Sequence, residues 1–293
     1  IFRNDIVYIT PGQTFFGIVK YSIFILCSSI LKKELIIHVH GNYLGRQYSL
    51  LNGFKKKTFY FLVSKFTKGI VLSESLKNNL TPFIKKENIF VVYNFAEKYL
   101  YKDKLKKDYT KLKITYLSNL MEEKGILFLL ETLKELEKRN VLYEAKIAGN
   151  IDDGLKEEIL QKINILKNTR YIGVVHKKEK KKLLEWSTIF VLPTFYKMEG
   201  QPISILEALA TQNVIITTNH AGIPDIIKSE INGYIVEPKS SKSILEPLLF
   251  LNENKHKITE IAELNRKYFM NNFTIKNFSE KIIKILNANT RTK

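Results

Sequence analysis

The stretch YKMEGQPISILEALA, Tyr196 to Ala210, holds two glutamates, Glu199 and Glu207, eight positions apart. On one continuous helix that spacing is just over two turns, about 12 Å. A Gly, a Gln and a Pro lie between the two acids, so the first belongs to a loop and the second to the helix that follows. Just upstream, TIFVLPT reads as a buried strand, and FYKMEG leaves its carboxyl end. Pro202 suits the first turn of a helix, where its missing N–H costs nothing. Strand, loop and helix in this order belong to an open α/β sheet, whose ligands sit beyond the carboxyl ends of the strands. The loop and the helix N-terminus offer unpaired N–H groups and a positive dipole end, which suits a phosphate. A glutamate placed there can accept two hydrogen bonds from a vicinal diol, as a sugar or ribose presents. Without further context, two solvated acids flanking a helix start fit the stretch as well.

The same alternation recurs along the chain. Short β-branched runs are DIVYIT, LIIHVH, GIVLS and IFVVYN in the first third, then LKITYLSN, YEAKIAG, RYIGVV, TIFVLPT, NVIITTN and GYIVE. Amphipathic segments lie between them, such as GILFLLETLKELEKR (Gly125 to Arg139) and GLKEEILQKINILK (Gly154 to Lys167). Nearly all-apolar strands alternating with helices predict parallel sheets covered on both faces. The segment YLYKDKLKKDYTKLK (Tyr99 to Lys113) is charged and poor in aliphatics, and reads as a linker between two α/β domains. The division that follows is residues 1–107 with the linker, 108–273, and a terminal amphipathic helix over 274–293 with Thr274 as an N-cap candidate.

A chain of 293 residues, 45% apolar, is long enough for two cores. Its one cysteine, Cys27, excludes an internal disulfide and thiolate zinc clusters, and fits a reducing compartment. The first residue is not Met, and IFRNDIVYIT reads as a strand already in mid-course with no signal peptide ahead of it. The first domain is therefore expected to be truncated, its leading strands absent. The longest apolar stretch, Phe15 to Leu31, carries Lys20 and three serines. It falls short of the roughly 20 residues that span a bilayer, and reads as a buried or interfacial helix.

The net charge is +18, of which +12 falls in residues 1–107, where Lys32, Lys33, Lys55, Lys56, Lys57, Lys85 and Lys86 lie. Two readings stay open: a basic face for anionic lipid, a phosphorylated acceptor or nucleic acid, or a lysine-rich composition with solvated side chains. There is no G-x-x-x-x-G-K-[ST] loop and no G-x-S-x-G elbow. No Asp-x-Asp triplet of the kind that holds a divalent metal on a diphosphate occurs, Asp152 and Asp153 being adjacent.

EGQPISILE resembles the E-x7-E pattern of the retaining glycosyltransferases of family four, the group 1 glycosyltransferases. YLSNLMEEKG (Tyr116 to Gly125) resembles that family's strand, loop and helix with a donor-phosphate lysine. AKIAGN, YIGVV, STIFVLPT, NVIITTNHAGIPDII and NGYIVEP follow in the family's order, and HVHGN and VVYNF resemble landmarks of its first domain. The resemblance covers nearly the whole chain. It implies the GT-B architecture, two Rossmann-like domains with parallel sheets facing across a cleft.

The resemblance also implies roles. Glu199 faces the donor sugar and helps place its anomeric carbon, and Glu207 binds the nucleotide ribose. Gly200, Gln201, Pro202 and Ile203 bring backbone close to sugar and phosphate, and Ser204 adds a hydroxyl donor. Lys124 supplies positive charge to the diphosphate leaving group. Val174 and Val175 flank the base, and His40 faces the sugar from the first domain. His38 should share the face of His40, but the resemblance assigns it no role. It assigns none to His176 either, and the lysines after His176 read as the solvated face of a helix. Two positions depart from the family. Asn119 stands where an arginine commonly pairs with the lysine on the diphosphate, and Asp225 where a glutamate is usual.

The implied activity is metal-independent transfer of a sugar, with retention, from a nucleotide-diphosphate sugar to a hydroxyl, with a UDP-sugar favoured over a GDP-sugar and no cofactor. The implied setting is bacterial surface polysaccharide (capsule, O-antigen or lipopolysaccharide), with a lipid-linked or saccharide acceptor. The chain would then be cytoplasmic, peripheral at the inner membrane face. Two alternatives stand beside it: a phosphorylase-like enzyme on the same fold, and a basic protein that binds nucleic acid or membrane without catalysis.

Overall fold

The computed structural model describes residues 5–103 and 105–288. The chain divides into two compact units, one of residues 1–94, 197–201 and 276–293, the other of residues 95–196 and 202–275. Each of the ten β-branched runs forms a strand, and both sheets are parallel. Both units are thus Rossmann-like α/β layers of the kind the resemblance implies.

In the first unit, β1 (Ile6–Ile9), β2 (Glu34–Val39), β3 (Lys68–Val71) and β4 (Ile89–Val91) lie in the order β1-β2-β3-β4. The stretch Phe15 to Leu31 forms two short helices, α1 (Phe15–Val19) and α2 (Ser22–Ile30), instead of one. Only part of it is buried: Ile18, Ile25 and Ser28 turn inward, while Phe16, Ile23, Phe24 and Ile30 are exposed. Two more helices, α3 (Leu44–Leu50) and α4 (Gly53–Val63), follow β2. Among the described residues no helix is long and apolar enough to cross a membrane.

The second unit holds β5 (Leu112–Leu117), α5 (Ile126–Lys138), β6 (Tyr143–Ala148), α6 (Lys156–Asn164), β7 (Thr169–Tyr171) and α7 (Lys177–Trp186). It continues with β8 (Ile189–Leu192), α8 (Ile203–Ala210), β9 (Val214–Thr218), β10 (Gly233–Val236), α9 (Ser241–Glu253) and α10 (Lys255–Asn272). Strand order is β10-β9-β8-β5-β6-β7. From β5 the chain builds outward in one direction through β7, then returns to the other side of β5 with β8. The β5/β8 boundary is therefore the topological switch point, whose carboxyl side is where such sheets bind ligands. The segment read as a linker is tied to this unit, with the Lys107 ammonium donating to the carbonyls of Leu184 and Ser187, at 2.8 and 2.5 Å.

The terminal helix α11 (Ile275–Asn287) packs on the first sheet. Ile285 joins Ile36, Ile70 and Val92 in one apolar cluster, with Phe278, Ile282 and Leu286 against it. Lys68, at 0% exposure, lies beneath the helix end. Its ammonium pairs with Glu34 at 2.8 Å and donates to the carbonyls of Ile285, at 2.8 Å, and of Ala288. These carbonyls are among the last of the helix, which have no partner within it.

Candidate active site

In the second unit the loops leaving β5 and β8 meet at the switch point. The first carries Asn119 and Lys124. The Tyr116 hydroxyl donates to the Asn119 carbonyl at 2.9 Å, which fixes the loop's exit while the Asn119 side chain stays exposed. Lys124 ends a 3₁₀ turn (Glu122–Lys124), and Gly125 follows at φ +79°. A Cβ on Gly125 would stand 2.4 Å from the Pro193 carbonyl oxygen, so only glycine lets the two loops close up. The Phe195 N–H donates to the Glu123 carbonyl at 2.8 Å, and the Lys124 ammonium sits 4.9 Å from the Tyr196 ring centroid. His220, at the end of β9, meets the Tyr196 carbonyl at 2.7 Å through Nε2.

Helix α8 starts at this loop. Pro202 is its N-cap in extended conformation (ψ 117°), one residue before the first-turn position expected for it, and Ile203 opens the helix. Ile203 is half exposed and Ser204 partly buried. Glu207 lies one turn further, only 5% exposed. Its Oε1 is 2.5 Å from the ammonium of Lys180 on α7. Burial raises the pKa of the Glu207 carboxyl, the Lys180 charge opposes that rise, and Glu97 adds to it. The lysines after His176 are thus not all solvated. Lys177 and Lys178 are exposed, but Lys180 reaches Glu207, and Lys181 pairs with Asp103 at 2.7 Å and Glu185 at 3.1 Å. Nothing in the sequence separates Lys180 from its neighbours except its place on the helix turn. Val174, exposed, and Val175, half-buried, stand in the loop between β7 and α7, on the carboxyl side of the same sheet.

In the first unit, His40 follows β2 and remains exposed. Its ring lies 4.0 Å from that of His38, centroid to centroid, so the two do share a face. His38 is buried, with Nδ1 hydrogen-bonded to the Tyr8 hydroxyl and Nε2 without a partner among the described residues. Burial, aided by the neighbouring His40, lowers the His38 pKa to about 3, and burial lowers that of His40 as well. Both rings are therefore held toward the neutral form, in which each can offer one donor and one acceptor.

Residues 197–201 pack within this unit. Glu199 is 8% exposed. A Cβ on Gly200 would stand 2.3 Å from the His40 carbonyl oxygen, so the close approach that requires glycine here is to protein backbone. The side chain of Gln201 is committed: Oε1 accepts from the Asn94 N–H at 2.7 Å, and Nε2 donates to the Leu72 carbonyl at 3.2 Å. The Asn94 amide closes the ring by donating to the Gln201 carbonyl at 3.1 Å. These contacts gather Glu199, Gly200, Gln201 and His40 in the first unit, and Lys124, Asn119, Glu207, Pro202, Ile203, Ser204, Val174 and Val175 in the second. Among the described residues no group of three or more His, Cys, Asp or Glu could hold a metal ion.

The family of glycosyl transferases group 1 matches residues 97–268, more than half of the chain. The chain is similar to the capsular polysaccharide biosynthesis glycosyltransferase CapM of Staphylococcus aureus, 26% identical over 262 residues that cover 83% of this chain and 68% of that protein. It is also similar to the UDP-Gal:alpha-D-GlcNAc-diphosphoundecaprenol alpha-1,3-galactosyltransferase of Escherichia coli, 26% identical, covering 57% of this chain and 43% of that one. Matches to three other curated glycosyltransferases span 38%, 59% and 36% of their lengths, so the chain covers less than two thirds of each. Among solved structures, Anabaena HepE in complex with UDP superposes with a TM-score of 0.79 over 97% of this chain and 79% of that one. At 17% identity that likeness is one of fold. The chain belongs to the glycosyl transferases group 1 family.

Proposed function

We propose that this chain transfers a sugar, with retention, from a nucleotide-diphosphate sugar to a hydroxyl acceptor. The observation that carries this reading is the switch point of the second unit. There a lysine (Lys124), a helix N-terminus (α8) and a buried carboxylate (Glu207) stand at the carboxyl side of one sheet. The cation and the helix dipole suit a diphosphate, and the carboxylate suits the ribose diol. In the transfer, the bond from the anomeric carbon to the phosphate oxygen breaks as the acceptor oxygen bonds to that carbon from the same face. The acceptor proton passes to the departing phosphate. Glu199 holds the sugar hydroxyls, His40 offers a neutral imidazole to them, and Lys124 balances the charge that develops on the diphosphate. No step requires a metal.

A UDP-sugar is the favoured donor, in keeping with the UDP named for HepE and for the E. coli galactosyltransferase. Calorimetric titration with UDP, GDP and ADP, without metal, tests this reading. One nucleotide, UDP, should bind, and Glu207→Ala should weaken it at least about tenfold, the worth of a charge-assisted hydrogen bond. Silence from all three, or equal binding by the variant, would overturn the donor site.

For the acceptor we favour a lipid-linked saccharide, such as the E. coli galactosyltransferase is named for, in the making of a surface polysaccharide, such as the capsule that CapM is named for. The enzyme would then work against the inner face of the cytoplasmic membrane. The first unit has a surface suited to that. Between residues 10 and 73 nine bases face one acid, Glu34, which is spent on Lys68. Exposed Phe16, Ile23, Phe24, Ile30, Phe54 and Phe61 stand on α1, α2 and α4, helices that pack together. Such a mixture of lysines with exposed aromatic and aliphatic side chains suits an anionic interface. The chain should float with vesicles containing phosphatidylglycerol and not with pure phosphatidylcholine. Lys55→Glu with Lys57→Glu should weaken that binding about tenfold or more, at roughly 1 kcal/mol per lysine. Equal binding to neutral vesicles, or no effect of the double change, would remove this surface from the account.

A further inference from the structure

We propose that Lys180 is a positioning residue for nucleotide binding, its ammonium holding the Glu207 carboxylate charged and fixed by one oxygen so that the other is free to accept from a nucleotide diol. This rests on the donor-site reading given above. The geometry is specific. Of the lysines that open α7, Lys180 turns inward, with 24% of its side chain exposed, and meets Glu207 Oε1 at 2.5 Å. Glu207 has 6% of its side chain exposed, and a carboxylate so buried without a cation would take up a proton. A protonated carboxyl has lost acceptor capacity and gained a donor, whereas a diol brings two donors.

The charged groups acting on Glu207 are Lys180 from α7 and Glu97 from the segment before β5. Tyr99, from that same segment, lies close enough to Lys180 and Glu207 to be influenced by both charges. The elements β8, β9 and α10 also pack on α8, and among the described residues they contribute no charge to this carboxyl. Lys180 is therefore the one cation opposing both burial and Glu97. The sign of the effect follows. A group whose pKa is raised is ionised only above that raised value, so binding that needs the carboxylate is complete at high pH and is lost as pH falls through it. Removing Lys180 moves that loss to higher pH.

The test has two readouts. UDP, GDP and ADP are titrated into the wild-type chain, Lys180→Met, Lys180→Arg and Glu207→Gln at pH 6 and pH 8. Separately, without nucleotide, the carbon-13 signal of the Glu207 carboxyl is followed against pH, assigned by its disappearance in Glu207→Gln. The wild type should bind its nucleotide equally at both pH values. Lys180→Met should bind about tenfold more weakly at pH 6 than at pH 8, the loss of one hydrogen bond to a charged group. Lys180→Arg should restore the wild-type profile, and Glu207→Gln should be weak at both. The Glu207 midpoint should rise in Lys180→Met. A pH-independent Lys180→Met, or an unmoved midpoint with nucleotide binding intact, overturns the role of Lys180. Absence of nucleotide binding by the wild type overturns the donor-site reading itself.

Discussion

Lys124→Ala is expected to slow sugar transfer about 10²- to 10³-fold, the usual loss when a preorganised partner of developing charge is removed. Nucleotide affinity should fall far less, because the extra charge on the diphosphate appears only as the glycosidic bond breaks. The sequence itself raises the stakes: Asn119, where the family commonly has an arginine, donates hydrogen bonds but brings no charge. The fold should not suffer. Backbone contacts hold the turn, from the Phe195 N–H to the Glu123 carbonyl and from Gly125 against Pro193, and the lysine side chain adds to them its contact with the Tyr196 ring. Single-turnover product formation with the nucleotide sugar, beside a thermal melt, measures both. A rate within about fivefold of wild type would show that Lys124 does not meet the leaving group, since a fixed cation there is worth several kcal/mol.

Lys68→Met should cost about 3 kcal/mol of stability, within the range for breaking a buried ion pair by removing one partner. The lysine is fully buried, and its removal breaks its pair with Glu34 and its hydrogen bonds to the Ile285 and Ala288 carbonyls. Methionine fills most of the same space, so the loss is electrostatic and not a cavity. Urea unfolding of Lys68→Met, Glu34→Gln and the double variant would separate the parts. The double variant should be less unstable than the sum of the singles, because the Lys68–Glu34 pair is lost once and not twice. A Lys68→Met chain within about 0.5 kcal/mol of wild type would mean that the ammonium is not part of what holds α11, as expected only of surface substitutions.

The strands were legible for a simple physical reason. β3, β8 and β9 are buried from end to end, and apolar side chains fill most of such places, while Lys68 in β3 and Thr217 and Thr218 in β9 are buried with hydrogen-bond partners. The candidate site was legible where it depends on chain order, because Glu199, Pro202 and Glu207 lie on one strand–loop–helix passage. What escaped depends on partners distant in sequence. The amphipathic period of residues 274–287 reveals a helix with one apolar face, but a period cannot say that the face covers Ile36 and Ile70. Lys68 and Lys180 look like any solvated lysine until Glu34 and Glu207 are seen beside them. The single helix expected over Phe15 to Leu31 breaks at Lys20 and Tyr21, which cap α1 and α2. Nothing in that apolar run marks the break.

The placement of α11 bears on the order in which the chain can acquire its shape during synthesis. Every residue of the second unit lies between positions 95 and 275, so that unit has its whole sequence before the terminal helix is made. The first sheet has its four strands by residue 91, yet the cluster of Ile36, Ile70 and Val92 waits for Ile285, and Lys68 waits for the carbonyls it caps. A chain emerging N-terminus first would therefore complete the second unit before the first, and carry an exposed apolar sheet face until α11 leaves the ribosome.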